Sequence, residues 1–187
     1  HDIAGTADRA SDGCIIAQSN DEIARRAKVI GLSLPTIETN RQVVREIAKA
    51  GVAGTVVVDT CTIGIDAAKL NAQILNEVGI EYLDSPVSGL KFRAEEGALV
   101  SMVSGAASEL KKARKLLEGY SRAVVHVGTE PGQGQRMKVL NNAICIASYV
   151  ISSEALTYGE AGGLKVGEML EVINESSGQN FATKFLF

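Results

Sequence analysis

A long segment, residues 132–163, constrains the fold of this chain more than any other part of the sequence. It opens with a turn rich in glycine and proline and closes on two adjacent glycines, which are residues expected at helix ends. Between Gly134 and Gly159 there is neither glycine nor proline, and apolar residues recur every three or four positions. The pattern predicts one long helix that is apolar around most of its circumference, as buried helices are.

Polar residues inside such a helix need an explanation. Lys138 and Asn142 stand four positions apart, which places them on one face of the same turn, and Asn141 is adjacent. Burial of a lysine lowers its pKa and makes the amine usable as an acid or base. The structural alternative is that the lysine reaches solvent near the helix end while the asparagines solvate that end. The spacing alone leaves both interpretations open.

Composition excludes several classes of protein. Of the 187 residues, 45% are hydrophobic and 22% are charged, and the net charge is −3 without a basic block. This favours a soluble protein whose partners are neither nucleic acid nor membrane. The apolar runs are shorter than the roughly 18 residues of a membrane span. Three cysteines outside any motif predict a cytoplasmic protein, and two histidines disfavour a metal site.

Before the long helix, short apolar segments alternate with helical patterns. The alternation predicts an α/β fold: a Rossmann-like doubly wound parallel sheet in residues 1–129, incomplete at its N-terminus. Residues 130–187 are predicted to hold the long interdomain helix and the start of an all-α domain, including a second amphipathic helix over residues 164–173. The predicted strands cover residues 1–9, 28–35, 55–59, 80–84, 98–105 and 123–128.

Ligands of such sheets bind at the carboxyl ends of the strands. Residues 34–35, 60–62 and 85–89 are expected there. Asp8 ends the strand predicted for residues 1–9, which corresponds to the second strand of a dinucleotide fold. An acid at the end of that strand accepts hydrogen bonds from the adenosine ribose of the dinucleotide. A solvated loop aspartate is an equally good interpretation. Arg9 beside it is compatible with a 2′-phosphate, so the choice between NAD and NADP stays open.

Four motifs together resemble the β-hydroxyacid dehydrogenase family, which includes 3-hydroxyisobutyrate dehydrogenase and tartronate semialdehyde reductase and is related to 6-phosphogluconate dehydrogenase. The motifs are L-P at 34–35, D-x-x-T at 59–62, D-S-P-V-S-G at 84–89 and G-x-G-x-x-x-K-x-x-N-N at 132–142. The resemblance implies an oxidoreductase that uses NAD or NADP to interconvert a small β-hydroxyacid and its aldehyde or keto acid.

The resemblance also implies roles for individual residues. Lys138 corresponds to the catalytic acid/base, and Asn142, with Asn141 beside it, to the residues that hold the substrate. Ser88 and Gly89 correspond to the site of the substrate carboxylate. The residues implied to bind the cofactor are Leu34 and Pro35 through their backbone, Thr62 near the nicotinamide ribose, and Asp8.

The chain departs from the family pattern at several positions. Leu90 and Arg93 stand where the family commonly has glycine, which affects the anion site and therefore the choice of substrate. Cys61 replaces the usual serine or threonine. The G-x-G-x-x-G motif that holds the pyrophosphate is missing from the sequence, as are the last helices of the family. The sequence is therefore expected to be a fragment of the family pattern.

In the family that it resembles, the long helix forms the subunit interface. Residues 146–156 and 164–173 are accordingly expected to pack against another helix, and a homodimer or homotetramer is predicted. The alternative hypothesis is a non-catalytic, helix-mediated oligomer or binding module that retains the fold. A G-x-G-x-x-G motif in the full-length protein distinguishes the enzyme from this alternative.

Overall fold

The computed structural model describes residues 1–6, 10 and 13–187. It contains two compact units, residues 1–138 and 139–187. The division falls inside one continuous helix, α6 (Gln133–Ala161). A boundary between the sequence domains at residues 129 and 130 remains a prediction, and it lies in the turn that precedes α6.

Strands and helices alternate in the first unit, which confirms the predicted α/β fold. The helices that precede α6 are α1 (Asn20–Arg26), α2 (Ile37–Ala50), α3 (Ile65–Asn76), α4 (Leu90–Glu95) and α5 (Ala107–Glu118). The strands are β1 (Val29–Leu32), β2 (Val56–Asp59), β3 (Glu81–Asp84), β4 (Val87–Ser88), β5 (Leu99–Ser104) and β6 (Ser121–Gly128).

The sheet is Rossmann-like at one end and antiparallel in its middle. Strands β1, β2 and β3 are parallel neighbours, and β5 pairs antiparallel with both β3 and β4. Strand β6 lies beyond β5 and is parallel to it. The antiparallel pairing, which the sequence analysis did not foresee, follows from connection length. Only residues 89–98 join β4 to β5, and a parallel crossover needs about a dozen residues or more.

Two hydrophobic clusters show that helices cover both faces of this sheet. Strand β2 is buried at every position, and its alternate residues point to opposite faces. Val57 packs in a cluster with residues of α2 and α3, such as Val44 and Leu75. Val58 packs in the other cluster with Leu117 of α5. The two-sided burial explains why β2 reads as a continuous apolar run rather than an alternating one.

The strand predicted for residues 1–9 is wrong in the part that the structure describes. The Asp2 carboxylate accepts a hydrogen bond from the Ala4 N–H at 2.8 Å, and the Gly5 N–H donates to the Asp2 carbonyl at 3.1 Å. Gly5 has a φ of 91°. An aspartate that bonds to its own following backbone, together with a left-handed glycine, forms a turn instead of a strand. Asp8, the predicted ribose ligand, lies outside the described residues.

Every element that the structure describes in the second unit is helical: the remainder of α6, α7 (Val166–Asn174) and α8 (Phe181–Phe185). Helix α8 begins with a reciprocal cap, in which Asn180 Oδ1 accepts from the Thr183 N–H and Thr183 Oγ1 accepts from the Asn180 N–H. Thr183 Oγ1 also donates to Asn174 Oδ1 at 2.8 Å, which links α7 to α8. These bonds satisfy the polar groups where the two short helices meet.

The long helix is mostly exposed within this chain, and its predicted packing against another helix remains a prediction. In the most apolar 18-residue window of α6, 11% of the residues are buried. Ile144, Ile146 and Ile151 are 69%, 63% and 61% exposed. By length and composition α6 could also cross a membrane, but one such helix is weak evidence, because core helices of soluble proteins meet the same criterion. Apolar character around the helix did not specify which element covers it.

The first turn of α6 approaches the sheet closely at Gly134, and this contact can be tested. A Cβ there would lie 2.6 Å from the Met102 carbonyl oxygen and 3.0 Å from that of Asp84. Because both atoms belong to backbone, we expect Gly134→Ala to lower the free energy of unfolding by about 1–3 kcal/mol in urea denaturation. The control is Gly167→Ala in α7, where a Cβ meets nothing within 4 Å. Equal destabilisation by both substitutions would contradict this account.

Candidate active site

The carboxyl ends of β1, β2 and β3 lie at one edge of the sheet because the three strands are parallel neighbours. Segments that follow these ends carry five of the predicted ligand-binding residues. Pro35 and Thr62 are exposed, and the other three are half-buried: Leu34, Ser88 and Gly89. The structure therefore places a hydroxyl group and accessible backbone at the edge where the sequence predicted a ligand.

A buried carboxylate fixes the end of β2. Asp59 is fully buried, and its Oδ2 accepts hydrogen bonds from Asn40 Nδ2 at 2.8 Å and from the Tyr82 hydroxyl at 3.0 Å. Its Oδ1 accepts from the Cys61 N–H at 3.1 Å. A buried carboxylate with three donors holds the turn after β2 in one conformation. This role of Asp59 was not predicted, although an aspartate at the end of a continuous apolar strand was the available signal.

The Cys61 thiol joins two of the segments at this edge. The Leu34 N–H donates to Cys61 Sγ at 3.1 Å, so the turn after β1 is tied to the turn after β2. Burial, reinforced by the nearby Asp59 carboxylate, raises the pKa of Cys61 to about 12. The thiol is consequently neutral at physiological pH and acts as a structural acceptor. This explains how cysteine serves where the family has serine or threonine.

A second buried carboxylate, Asp84 at the end of β3, caps the N-terminus of α6. Its Oδ2 accepts hydrogen bonds from the backbone N–H groups of Gly132 and Gln135 at 3.1 and 2.9 Å and from Ser104 Oγ at 3.2 Å. Burial raises the pKa of Asp84, and the hydrogen bonds from Gln135 and Ser104 oppose that shift. A carboxylate at a helix N-terminus satisfies free N–H groups and interacts favourably with the helix dipole.

Gln135 connects the same helix to the turn after β2. The side chain is 1% exposed, and its Oε1 accepts from the N–H groups of Ile63 and Gly64 at 2.9 and 3.0 Å. Its Nε2 donates to the Cys61 carbonyl at 3.0 Å and to Asp84 Oδ1 at 2.6 Å. Neither Asp84 nor Gln135 was among the predicted site residues. A polar side chain in the first turn of a helix that opens G-x-G was the signal for Gln135.

Lys138 lies one turn after Gln135 and is half-buried, not deeply buried as a continuous apolar helix predicted. Asn141 and Asn142 are half-buried on the same helix. The predicted spacing of four between Lys138 and Asn142 on one uninterrupted helix is present. Their catalytic and substrate-binding roles remain predictions. Among residues 1–6, 10 and 13–187 the structure contains no cluster of three or more side chains suited to a metal ion.

The segment after β4 shows what the departures from the family pattern do. Gly89 has a φ of 145°, and a Cβ there would lie 2.7 Å from Arg93 Cβ. Leu90 follows with a φ of 60°, a left-handed conformation that costs a branched residue about 1–2 kcal/mol. The Arg93 guanidinium pairs with Glu96 Oε2 at 3.2 Å and lies 5.2 Å from the Phe92 ring centre. The added positive charge beside Gly89 is therefore partly neutralised.

Two family models match almost the whole chain. The model described as the NAD binding domain of 6-phosphogluconate dehydrogenase matches residues 3–128. The chain belongs to the β-hydroxyacid dehydrogenase family. A second model, described as the NAD-binding region of NADP-dependent 3-hydroxyisobutyrate dehydrogenase, matches residues 132–187. These matches confirm the family, the Rossmann-like fold and the class of cofactor, NAD or NADP, that the sequence predicted.

Individual relatives agree with this assignment. The chain is 32% identical to 2-(hydroxymethyl)glutarate dehydrogenase of Eubacterium barkeri, over 96% of this chain and 60% of the relative. It is 38% identical to NAD-dependent L-serine dehydrogenase of Pseudomonas aeruginosa, over 69% and 43% respectively. The solved structure of Mycobacterium tuberculosis 3-hydroxyisobutyrate dehydrogenase with L-serine superposes with a TM-score of 0.82 at 31% identity, over 89% and 57%. The chain thus spans less than two thirds of each of these relatives.

The raised pKa of Asp84 predicts how its contribution to stability varies with pH. A carboxyl group whose pKa is raised by folding stabilises the native state below its unfolded pKa, and this contribution is lost as pH rises through the folded pKa. Because asparagine does not titrate, we expect the stability of the natural protein relative to Asp84→Asn to increase as pH falls from about 7 to about 4.

Urea unfolding at several pH values measures this difference. The matched control is the same substitution at Asp66, an exposed residue of α3. A stability difference for Asp84→Asn that stays constant with pH, or that increases toward neutral pH, would show that the pKa of Asp84 is not raised.

Proposed function

We propose that this protein is an NAD(P)-dependent β-hydroxyacid dehydrogenase in which Lys138 is the acid/base. The observation that carries the proposal is the anchoring of the helix that bears Lys138. The Asp84 carboxylate and the Gln135 side chain hold the first turn of α6 against the ends of β2 and β3. Lys138 follows Gln135 by one turn on this helix, which supports its assignment as the acid/base next to the predicted cofactor-binding and substrate-binding segments.

The residues at the carboxyl edge fit a dinucleotide. Pro35 and Thr62 are exposed residues in the turns that follow two adjacent parallel strands. Hydrogen bonds to the Cys61 thiol and to the Asp59 carboxylate hold these turns in place. The Thr62 hydroxyl can hydrogen-bond to a ribose, and the backbone at Leu34 and Pro35 contacts the dinucleotide. A nicotinamide bound there supplies the hydride acceptor for oxidation and the hydride donor for reduction. Asp8 remains the predicted contact of the adenosine ribose.

In the direction of oxidation, the carbon that bears the hydroxyl loses a hydride while Lys138 Nζ takes the hydroxyl proton, and the C–O single bond becomes a carbonyl. In reduction, Lys138 returns the proton to the forming alkoxide. The Ser88 hydroxyl and the Gly89 N–H bind the substrate carboxylate, and Asn142, with Asn141 beside it, orients the reacting group. Fixed donors of this kind accelerate the reaction because they are already oriented before charge develops.

The proposed substrate is a small hydroxyacid with a hydroxymethyl group on the carbon next to the carboxylate. The compounds named for the similar proteins, 2-(hydroxymethyl)glutarate, L-serine and 3-hydroxyisobutyrate, share that group. They differ in the third substituent of the same carbon. Leu90 and Arg93 belong to α4, which directly follows the predicted carboxylate site at Ser88 and Gly89. We assign the discrimination between such substituents to these two residues.

We further propose a cytoplasmic homodimer or homotetramer. None of the three cysteines, all of which lie among the described residues, forms a disulfide bond, and this fits a reducing compartment. The exposed isoleucines of α6 form an apolar surface that a soluble protein covers by association. Sedimentation equilibrium of the full-length protein at micromolar concentration tests the oligomer, and a clean monomer would refute it. The same apolar surface favours the second candidate function, a non-catalytic oligomer that retains the fold.

Substitution of Lys138 distinguishes the two functions. We expect Lys138→Ala to lower turnover by about 10²–10⁴-fold, because that is the usual contribution of a positioned acid/base. Turnover is measured on the full-length protein with saturating hydroxyacid and NAD or NADP. Lys111→Ala serves as the control, because it removes an exposed lysine on α5, a different helix from the one that carries Lys138. A loss of less than tenfold at Lys138 would exclude this lysine as the acid/base.

A further inference from the structure

We propose that Gln135 is a positioning residue that keeps the cofactor-binding turn around Thr62 in register with the helix that carries Lys138. The inference rests on the proposed function, because the roles of Thr62 and Lys138 belong to it. Gln135 is 1% exposed, and we assign it no contact with substrate or cofactor. It acts through the two segments that it joins, the turn after β2 and the first turn of α6.

All the hydrogen-bonding capacity of the Gln135 amide is used. A glutamine side chain has two acceptor lone pairs and two N–H donors. Oε1 faces two N–H groups, those of Ile63 and Gly64, and Nε2 faces two acceptors, the Cys61 carbonyl and Asp84 Oδ1. Rotating the amide by half a turn would oppose donor to donor and acceptor to acceptor. The side chain therefore has one orientation, and it specifies one arrangement of its partners.

Gln135 holds the turn on both sides of Thr62. The Cys61 carbonyl precedes Thr62 in the chain, and the N–H groups of Ile63 and Gly64 follow it. The Gln135 side-chain amide therefore fixes the backbone on both sides of Thr62, while the Thr62 side chain is exposed. A shift of Gln135 moves this turn and changes where the Thr62 hydroxyl meets a ribose.

The same residue determines where Lys138 lies. The Gln135 N–H and Nε2 both donate to the Asp84 carboxylate, at 2.9 and 2.6 Å, so two bonds fix the first turn of α6 on β3. Lys138 follows three residues later, about 4.5 Å along the helix axis at 1.5 Å per residue. A displacement of about 1 Å between reacting groups can cost about 10²-fold in rate. Gln135 thus relates the positions of the hydride acceptor and the proton acceptor to each other.

Two substitutions separate the parts of this bridge. Gln135→Met keeps an unbranched side chain of similar length but removes all four hydrogen bonds. Gln135→Glu keeps the acceptor for Ile63 and Gly64, loses both donors, and sets a second carboxyl group against Asp84. Since two carboxyl groups at this distance share a proton, the glutamate variant should be most native-like at low pH. The other ionisable groups near the pair are Asp59 of β2 and Tyr82 of β3.

Gln133→Glu is the matched control. It makes the same chemical change two residues earlier in the same helix turn, at an exposed glutamine whose Oε1 accepts from the Glu130 N–H at 2.9 Å. Glutamate retains that acceptor. Any effect of negative charge at the helix N-terminus is therefore common to the control and to Gln135→Glu, and only the bridge differs.

The first measurement does not depend on activity. Amide hydrogen exchange of the full-length protein without cofactor should be faster by about tenfold or more at Ile63 and Gly64 in Gln135→Met, because their acceptor is gone. Exchange within β5 should be unchanged, which shows that the variant remains folded. Unchanged protection at Ile63 and Gly64 in a folded Gln135→Met variant would overturn the proposal.

The second measurement is kinetic. We expect kcat of Gln135→Glu to fall by about 10- to 100-fold at neutral pH and KM for NAD or NADP to rise, with recovery of both as pH is lowered. Gln133→Glu should stay within about twofold of the natural protein. A loss of folded protein without a change in kcat per folded molecule would mean that Gln135 is structural only, and the proposal would fall.

The Lys138→Ala result separates failure of this inference from failure of the proposed function. If Lys138→Ala abolishes turnover while Gln135→Glu keeps normal kcat and KM, the bridge does not position the site, and the acid/base assignment stands. If Lys138→Ala is active, the acid/base assignment falls, and with it the part of the inference that concerns Lys138. The exchange rates at Ile63 and Gly64 then still decide whether Gln135 holds the turn.

Discussion

The structure of the first unit depends on a buried carboxylate placed against a helix N-terminus. Asp84 ends β3 inside the protein, where its charge is unfavourable unless donors surround it. Those donors come from the start of α6 and from β5, so the helix can begin only where the sheet places the carboxylate. The glycine at position 134 permits this approach because no side chain separates the helix from the strands. The position of Lys138 follows from this contact, because a helix whose first turn is fixed also fixes the residues of its next turn.

Most of the fold was predictable because its signals are local. The apolar run that ends at Asp59, the serine and threonine caps of α1 and α2, and the interval free of glycine and proline in α6 each identify an element without knowledge of its neighbours. Three features were not predicted in this way, and one of them, the antiparallel pairing of β5, follows from a short connection. The turn at Asp2 depends on a side-chain hydrogen bond that competes with a strand, and the exposure of α6 depends on what packs against it.

The site divides along the same line. The motifs identified Lys138, Ser88 and Thr62 as candidate site residues, because residues that meet a ligand are recognisable by type and position in a family pattern. Asp84 and Gln135 act through partners 20 to 74 residues away in the chain, and no local pattern indicates such a partner. The candidate ligand-binding residues were therefore easier to infer than Asp84 and Gln135, although the latter two are more completely buried.

Cys61 has a consequence for the chemistry that this edge of the sheet tolerates. With a pKa of about 12, only about one thiol in 10⁵ is ionised at pH 7. Peroxides, alkylating agents and mixed disulfides react with the thiolate, so they encounter almost none of it at a position where the chain has exchanged a hydroxyl for sulfur. The sulfur that joins the turns after β1 and β2 is thus kept unreactive mainly by its burial, and the Asp59 carboxylate beside it adds to the effect. An oxidant would therefore reach the exposed Cys14 before the buried Cys61.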